Sequence, residues 1–306
     1  MPDSALVAVR KSLLQIADFE RRAAGVLRDT YDQIYNGQRT GRYQVAQLFK
    51  TEKTHFGSLV EINLRREFDR EIQDGNKMDY QIVGVEVDCK FSQKPGGWMI
   101  PLEAREEICL LVWAEDTATP KWSMGLVRAS PNYLNPGGNQ DKKVTLNKTG
   151  MQSIDWLFKN ADMPPNVLLQ LDAFDVARIF QNKKSGQKRI NELFRVGQKR
   201  RIGRAVIATV AQQEDYMKRV RGNGGARSLL KPEGIIILGE YRSHKKLAVE
   251  LGVPEPQDGE FVSVRVCPAG RTDPTGSRKV SIAGSKLWRV AGPNDPVVPA
   301  PKLPSI

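Results

Sequence analysis

Two carboxylates and an amine stand close together at Asp79 and in the triplet Asp88-Cys89-Lys90, which ends the alternating run Gln81-Ile82-Val83-Gly84-Val85-Glu86-Val87. Side chains of a strand alternate between its faces. Read as a strand, the run puts Val85, Val87, Cys89 and Phe91 on one face and Glu86, Asp88 and Lys90 on the other. Charge on an otherwise apolar strand is costly unless it is solvated or shared with a metal ion. Asp79 and Asp88 offer hard oxygen donors of the kind that hold Mg²⁺, and Lys90 can orient a water or steady negative charge at a phosphate. These are the groups that hydrolysis of a phosphodiester requires. A short Asp-x-Lys also arises by chance at a solvated strand end, so the triplet alone leaves both readings open.

The elements that must carry these residues are visible as patterns. Residues 5–35 have apolar positions at helical spacing, Leu6, Val9, Leu13 and Ile16 and then Val26, Leu27 and Ile34, with Gly37 as the expected stop. A second helix is expected from Thr54 as N-cap, with Phe56, Val60, Leu64 and Phe68 in one stripe and Glu61 at the stripe's edge. From there Glu61 can reach a site beside the core, or it can pair with Arg65 one turn on. Ile108–Trp113 and Trp122–Val127 read as strands, the first apolar throughout and therefore central, with both faces covered.

Charge divides the chain. Residues 1–165 contain 22 basic and 22 acidic residues, whereas residues 166–306 contain 25 and 13 and so carry the whole +12. A neutral half with clustered carboxylates suits a metal, and a basic half suits a polyanion. At 306 residues there is room for two cores, with the break at Asp162-Met163-Pro164-Pro165-Asn166. The second half reads as a helix-turn-helix or winged-helix module. Its helices are expected at 189–194, 202–211 and 214–220, a glycine break at 222–225 and a strand at 235–238. Arg204, Lys218, Arg219, Arg221 and Arg227 are its candidate DNA-binding residues. No aromatic pattern interleaves them, which favours duplex over single-stranded nucleic acid. Cys89, Cys109 and Cys267 are too scattered for a disulfide framework, and with only His55 and His244 no zinc spacing is present. Residues 1–4 lack an apolar signal core and no stretch is apolar enough to span a membrane, so a soluble cytoplasmic protein is expected. The Pro-rich tail from Pro293 is expected to be extended and weakly ordered.

Acid, spacer, then Asp-Cys-Lys resembles the signature of the PD-(D/E)xK nucleases. Lys50–Gly57, Leu59–Leu64, Asp88–Ser92, Gly203–Gln213, Met217–Gly222 and Pro232–Gly239 resemble, within that superfamily, the NaeI-type family of two-site type II restriction endonucleases, over about residues 20–300. The resemblance implies an α/β fold, a restriction-endonuclease-like mixed sheet flanked by helices, followed by a C-terminal domain with a catabolite-activator-like DNA-binding motif. By it, residues 1–162 cleave, 163–171 link and 172–306 bind DNA as an effector domain. It implies that Glu61 joins Asp79 and Asp88 at Mg²⁺ beside Lys90, and that a homodimer cuts double-stranded DNA at a short palindrome such as GCCGGC, with a second DNA copy as allosteric effector. In that family the stretch matching Asp32–Gly37 resembles the nucleotidyl-lysine motif of DNA ligases. Here Ile34 takes the nucleophile's place and Asn36 that of the aspartate, so the segment reads as a helix end and no ligase activity is expected. Two other functions remain to be weighed: a transcription regulator whose N-terminal half only dimerises, and a repair nickase that keeps the metal site but not the palindrome.

Overall fold

In the computed structural model, which describes residues 3–181, 185–270, 273–282, 284 and 286–304, the alternating run is a hairpin and not one strand. Val83 and Gly84 both take positive φ, 46° and 78°. That pairing makes the tight two-residue turn whose twist matches flanking antiparallel strands. It separates β2 (Tyr80–Ile82) from β3 (Val85–Ser92), while β1 (Gln73–Asp74) pairs with the outer edge of β2. β4 (Ile108–Glu115), β5 (Lys121–Arg128) and β6 (Asp155–Asp162) complete a six-stranded sheet in sequence order. Only β3 and β4 run parallel, with Asp88 opposite Cys109 and Lys90 opposite Leu111; every other pair is antiparallel. β4 is buried from Ile108 to Ala114, as a central strand covered on both faces must be.

Helices flank this sheet. The expected helix over 5–35 is two, Ser4–Leu14 and Phe19–Tyr35, broken where Asp18 takes positive φ. Arg28 fixes the second one beside the end of β4, with Nη1 2.6 Å from Asp116 and Nη2 2.9 Å from Asp32. Thr54 is not an N-cap. It ends a short helix, Lys50–Thr54, with its hydroxyl donating to the Thr51 carbonyl oxygen, and the next helix runs Phe56–Glu67. The predicted stripe is borne out: Phe56, Val60, Leu64 and Phe68 are all buried, and the Phe56 ring stacks on Phe91 of β3 at 5.8 Å.

Two compact units result, residues 1–34 with 45–165 and residues 35–44 with 166–306. In the second, β8 (Ile235–Leu238) lies beside β9 (Glu260–Pro268), and β7 (Ile202–Gly203), β10 (Val280–Ser281) and β11 (Leu287–Val290) extend the antiparallel sheet. β8 alternates between two cores. Ile235 and Ile237 join Ile190, Phe194, Ile207 and Phe261, while Ile236 and Leu238 join Leu247, Leu251, Val264 and Trp288. The helix expected at 189–194 extends over Gly186–Val196, and that at 202–211 begins at Arg204 after the short β7. At 214–220 there is only a 3₁₀ turn, Tyr216–Arg219. Patterns at Arg242–Leu251 and Glu260–Pro268 escaped the sequence reading. Residues 166–171 form part of this unit's core, with Val167 and Leu168 buried in it. The tail is extended but held, since the Ala300 amide donates to the Lys231 carbonyl oxygen at 2.8 Å and Ala300 is buried. No helix among the described residues is long and apolar enough to cross a membrane.

The helix Phe19–Tyr35 ends as expected, but the left-handed residue is Asn36, and Gly37 opens a further short helix, Gly37–Thr40. Gly37 is required for a close approach. A Cβ there would run into the Thr209 hydroxyl and come within 2.8 Å of the Arg42 carbonyl oxygen. Gly37→Ala is therefore expected to destabilise the protein by about 1–3 kcal/mol through overpacking, with part of the loss recovered in Gly37→Ala/Thr209→Ala. Denaturant unfolding of the single and double variants checks this.

Candidate active site

Lys90 is the meeting point of the residues singled out in the sequence. From β3 its Nζ lies 2.7 Å from Asp88 Oδ1 and 3.4 Å from Asp79 Oδ2, and it also donates to the Cys89 carbonyl oxygen at 3.0 Å. Asp79, at the end of the turn entering β2, accepts the Cys89 backbone N–H through Oδ2 at 2.8 Å. Asp88 is 4% exposed and so is shielded from solvent, whereas Glu86 and Lys90 on the same face are only partly buried. Its Oδ2 is 3.9 Å from Cys109 Sγ on the neighbouring β4.

Burial and opposing charge set the protonation of this group. Desolvation pushes the Asp88 carboxyl up to about 6, against the pull of Lys90. Burial works against the Lys90 ammonium, but Asp88 and then Asp79 overcome it and hold the amine above its ordinary value. Glu61 is raised by partial burial and next by Asp79, with Lys90 and Arg65 opposing, so it belongs to the same electrostatic cluster. The Tyr80 hydroxyl donates to the Glu61 carbonyl oxygen at 2.8 Å, tying the helix Phe56–Glu67 to β2. The alternative partner for Glu61, Arg65, contacts Asp74 at 2.6 Å. Cys89 is buried and its thiol is pushed up to about 12, chiefly by desolvation, as a small core residue's would be. Among the described residues no three Asp, Glu, His or Cys side chains close to metal-holding distance; the Asp79 and Asp88 carboxylates meet at the Lys90 ammonium.

Glu86, which the sequence placed on the charged face without a role, turns back to the loop before β2. Its carboxylate accepts the N–H groups of Asn76, Lys77 and Met78 at 2.9–3.0 Å. These bonds, that from Met78 foremost, hold its carboxyl at about 2. The available signal was a Gly-Asn turn facing a carboxylate two residues before Asp88.

In the second unit, Arg204, Arg221 and Arg227 line one cavity of about 180 Å³ with Met217, Tyr241 and Phe261. Lys218 and Arg219 are not among its lining residues. Arg219 pairs with Asp215 at 2.9 Å, and Lys218 is exposed, 3.9 Å from the same carboxylate. Arg204 pairs with Glu240 at 3.1 Å. Arg227 is the unusual member. Its Nε donates to the Ile237 carbonyl oxygen at 3.0 Å and its guanidinium lies over the Phe261 ring, yet Nη2 is buried without a hydrogen-bond partner, and burial lowers its pKa.

The model of the restriction endonuclease NaeI family matches residues 8–299. A curated relative, the type II restriction enzyme NaeI of Lentzea aerocolonigenes, is 48% identical over 309 residues, covering 99% of this chain and 95% of that protein. The chain belongs to the NaeI restriction endonuclease family. It is a type II restriction endonuclease, a nuclease that cleaves DNA in restriction–modification, which sets the transcription-regulator and nickase readings aside.

One titration in this NaeI-family chain has a defined sign. His244 is 3% exposed, and its Nδ1 accepts the Gly239 N–H at 3.1 Å, so the ring is held neutral. Burial first, and Arg227 second, lower its pKa from 6.5 to about 4. The unfolded chain then binds more protons between these values. Stability is full above 6.5 and falls as pH drops toward about 4, by an amount on the order of 1–3 kcal/mol. Urea unfolding across that interval should show the decline for wild type and a flatter profile for His244→Phe.

Proposed function

We propose that the first unit hydrolyses double-stranded DNA through Glu61, Asp79, Asp88 and Lys90, with Mg²⁺ held by the three carboxylates. The observation that carries this reading is the convergence of Asp79 and Asp88 on one positive charge, the Lys90 ammonium at 3.4 and 2.7 Å. Two hard carboxylate donors that already share a cation fit a hard divalent ion, and type II restriction endonucleases typically need a divalent metal. Such an ion, when bound, polarises the phosphate and lowers the pKa of a bound water. Asp88 contributes a carboxylate shielded from solvent, where each charge acts more strongly than in water. Asp79 is held by the Cys89 N–H, and Glu61 is supplied by a helix fixed through Tyr80. Lys90 provides a positive charge to orient the attacking water or steady the charge that develops on the phosphate.

The second unit is proposed as the effector domain, a helix-turn-helix or winged-helix-like module that binds a second DNA copy. The helix Arg204–Ala211 is buried from Val206 onward, so it packs the module and leaves the segment after it, with Lys218, Arg219 and Arg221, to face a phosphate backbone, while Arg227 lines the adjoining cavity. Counting residues 35–44 with this unit adds Arg39 and Arg42 and no acid, giving 27 basic against 13 acidic residues and leaving 20 against 22 in the first. A homodimer acting on a palindrome such as GCCGGC matches two-fold protein symmetry to two-fold DNA symmetry. A cytoplasmic location fits a protein whose substrate is DNA.

Asp88→Ala and Lys90→Ala should each lower cleavage of a mapped plasmid in Mg²⁺ by a factor of about a hundred to a thousand or more while leaving DNA binding largely intact. Cys89→Ser should keep substantial activity. A fully active Asp88→Ala enzyme sinks the assignment. For the effector role, a plasmid with one target should be cut slowly and accelerated by a short duplex bearing that target. Equal rates on one-site and two-site plasmids, unmoved by the duplex, sink the effector reading and leave the nuclease reading standing.

A further inference from the structure

Asp79 belongs to a loop that has little regular structure of its own. It closes the turn between β1 and β2, residues 75–79, and the backbone of that turn is gathered on a single side chain. Glu86 Oε1 accepts the Asn76 N–H at 3.0 Å, and Oε2 accepts the Lys77 and Met78 N–H groups at 3.0 and 2.9 Å. Three successive amides converging on one carboxylate form a small anion-binding nest whose occupant is part of the chain. Gly75 lets the turn close this tightly: a Cβ there would collide with the Met78 carbonyl oxygen and come within 2.9 Å of Glu86 Oε2.

The geometry points to Glu86 as the positioning residue for Asp79. Glu86 is anchored on β3 two residues before Asp88, and the amide it holds at Met78 immediately precedes Asp79. Strand β3 therefore grips Asp79 twice, through Glu86 at the loop backbone and through the Cys89 N–H at the carboxylate, 2.8 Å away. One strand thus sets the spacing of both carboxylates that meet at Lys90. Bonds from N–H groups to an ionised carboxylate are stronger than neutral ones, and three of them make the loop's position depend on this one group. A reacting group displaced by about 1 Å can lose about a hundredfold in rate. The Glu86 side chain is not part of the core, so packing does not account for a carboxylate at this position. The inference rests on the reading of Asp79 as a metal-holding carboxylate.

Glu86→Ala and Glu86→Gln in the full chain test it by two readouts. Amide hydrogen exchange should accelerate at Asn76, Lys77 and Met78 in Glu86→Ala and leave β3–β5 protected. On a duplex bearing the site that the wild-type protein cuts, kcat in Mg²⁺ should fall at least about tenfold with KM for DNA nearly unchanged. Glu86→Gln, isosteric and with one oxygen left to accept, should fall between wild type and Glu86→Ala in both readouts, and it serves as the test should Glu86→Ala fail to fold. Fast exchange at 76–78 with a wild-type kcat overturns the positioning role, as does a lost kcat with those amides still protected. Asp79→Asn, measured alongside, separates this from the underlying reading. A wild-type rate in Asp79→Asn overturns the assignment of Asp79 and the positioning role with it. An inactive Asp79→Asn beside a fully active Glu86→Ala overturns the positioning role alone.

Discussion

A charged pair inside an apolar sheet is the constraint around which the first unit is arranged. Asp88 and Lys90 sit on β3 between β2 and β4, which is apolar from Ile108 to Ala114, and Asp88 is nearly excluded from water. Taking a carboxylate and an ammonium out of water is expensive, and removing one partner typically costs about 3–5 kcal/mol because the other is left buried and uncompensated. The surrounding polar groups are those that such a pair demands. Asp79 and the Cys89 carbonyl oxygen supply further acceptors to Lys90, and the Cys109 thiol faces the second oxygen of Asp88. Desolvation raises Asp88 against the pull of Lys90, while Asp88 raises Lys90 against desolvation, so each favours the charged form of the other. Stability alone would favour apolar residues here, and buried pairs with shifted pKa values of this kind are concentrated at functional sites.

The pair sits at the one parallel step in an otherwise antiparallel sheet. Pairing β3 with β4 in parallel sets Asp88 against Cys109 and Lys90 against Leu111, with small or apolar residues opposite the charges. Parallel strands need coverage on both faces, and the helix Phe56–Glu67 supplies it on the side of Phe91 while bringing Glu61 with it. The stripe that packs this helix and the residue at the edge of that stripe are thus two consequences of one amphipathic pattern.

Features set by local periodicity were legible in the sequence. The face alternation of Val87, Asp88, Cys89 and Lys90, the buried character of Ile108–Trp113 and the Phe56–Phe68 stripe all depend on spacing alone. What was hidden depended on backbone conformations that composition does not announce. Val83 in a left-handed turn is unusual for a β-branched residue, which is why Gln81–Val87 reads as one strand when it is a hairpin. Thr54 has the chemistry of an N-cap, but the preceding residues from Lys50 already form a helix and make it a terminus. Distance along the chain concealed the rest. Nothing local announces that residues 35–44 belong with residues 166–306, or that Glu86 serves a turn ten positions earlier. Of the five basic residues singled out in the second half, Arg204, Arg221 and Arg227 share a cavity through strand and turn geometry, whereas Lys218 and Arg219 are drawn toward Asp215.

The second unit meets the problem of buried charge in the opposite way. Where Asp88 and Lys90 neutralise one another, Arg227 has a ring, a carbonyl oxygen and Tyr241 near it but forms no ion pair among the described residues. The neighbouring carboxylates are committed elsewhere, Glu240 to Arg204 and the Gly259 N–H, and Glu260 to Arg201 and the Gln257 N–H. His244 is pushed toward its neutral form by burial and by the same guanidinium. A positive charge held beneath a cavity without a counter-ion raises the local potential, and it does so in the half of the chain that carries the whole excess of basic residues. An internal carboxylate there would have cancelled that potential.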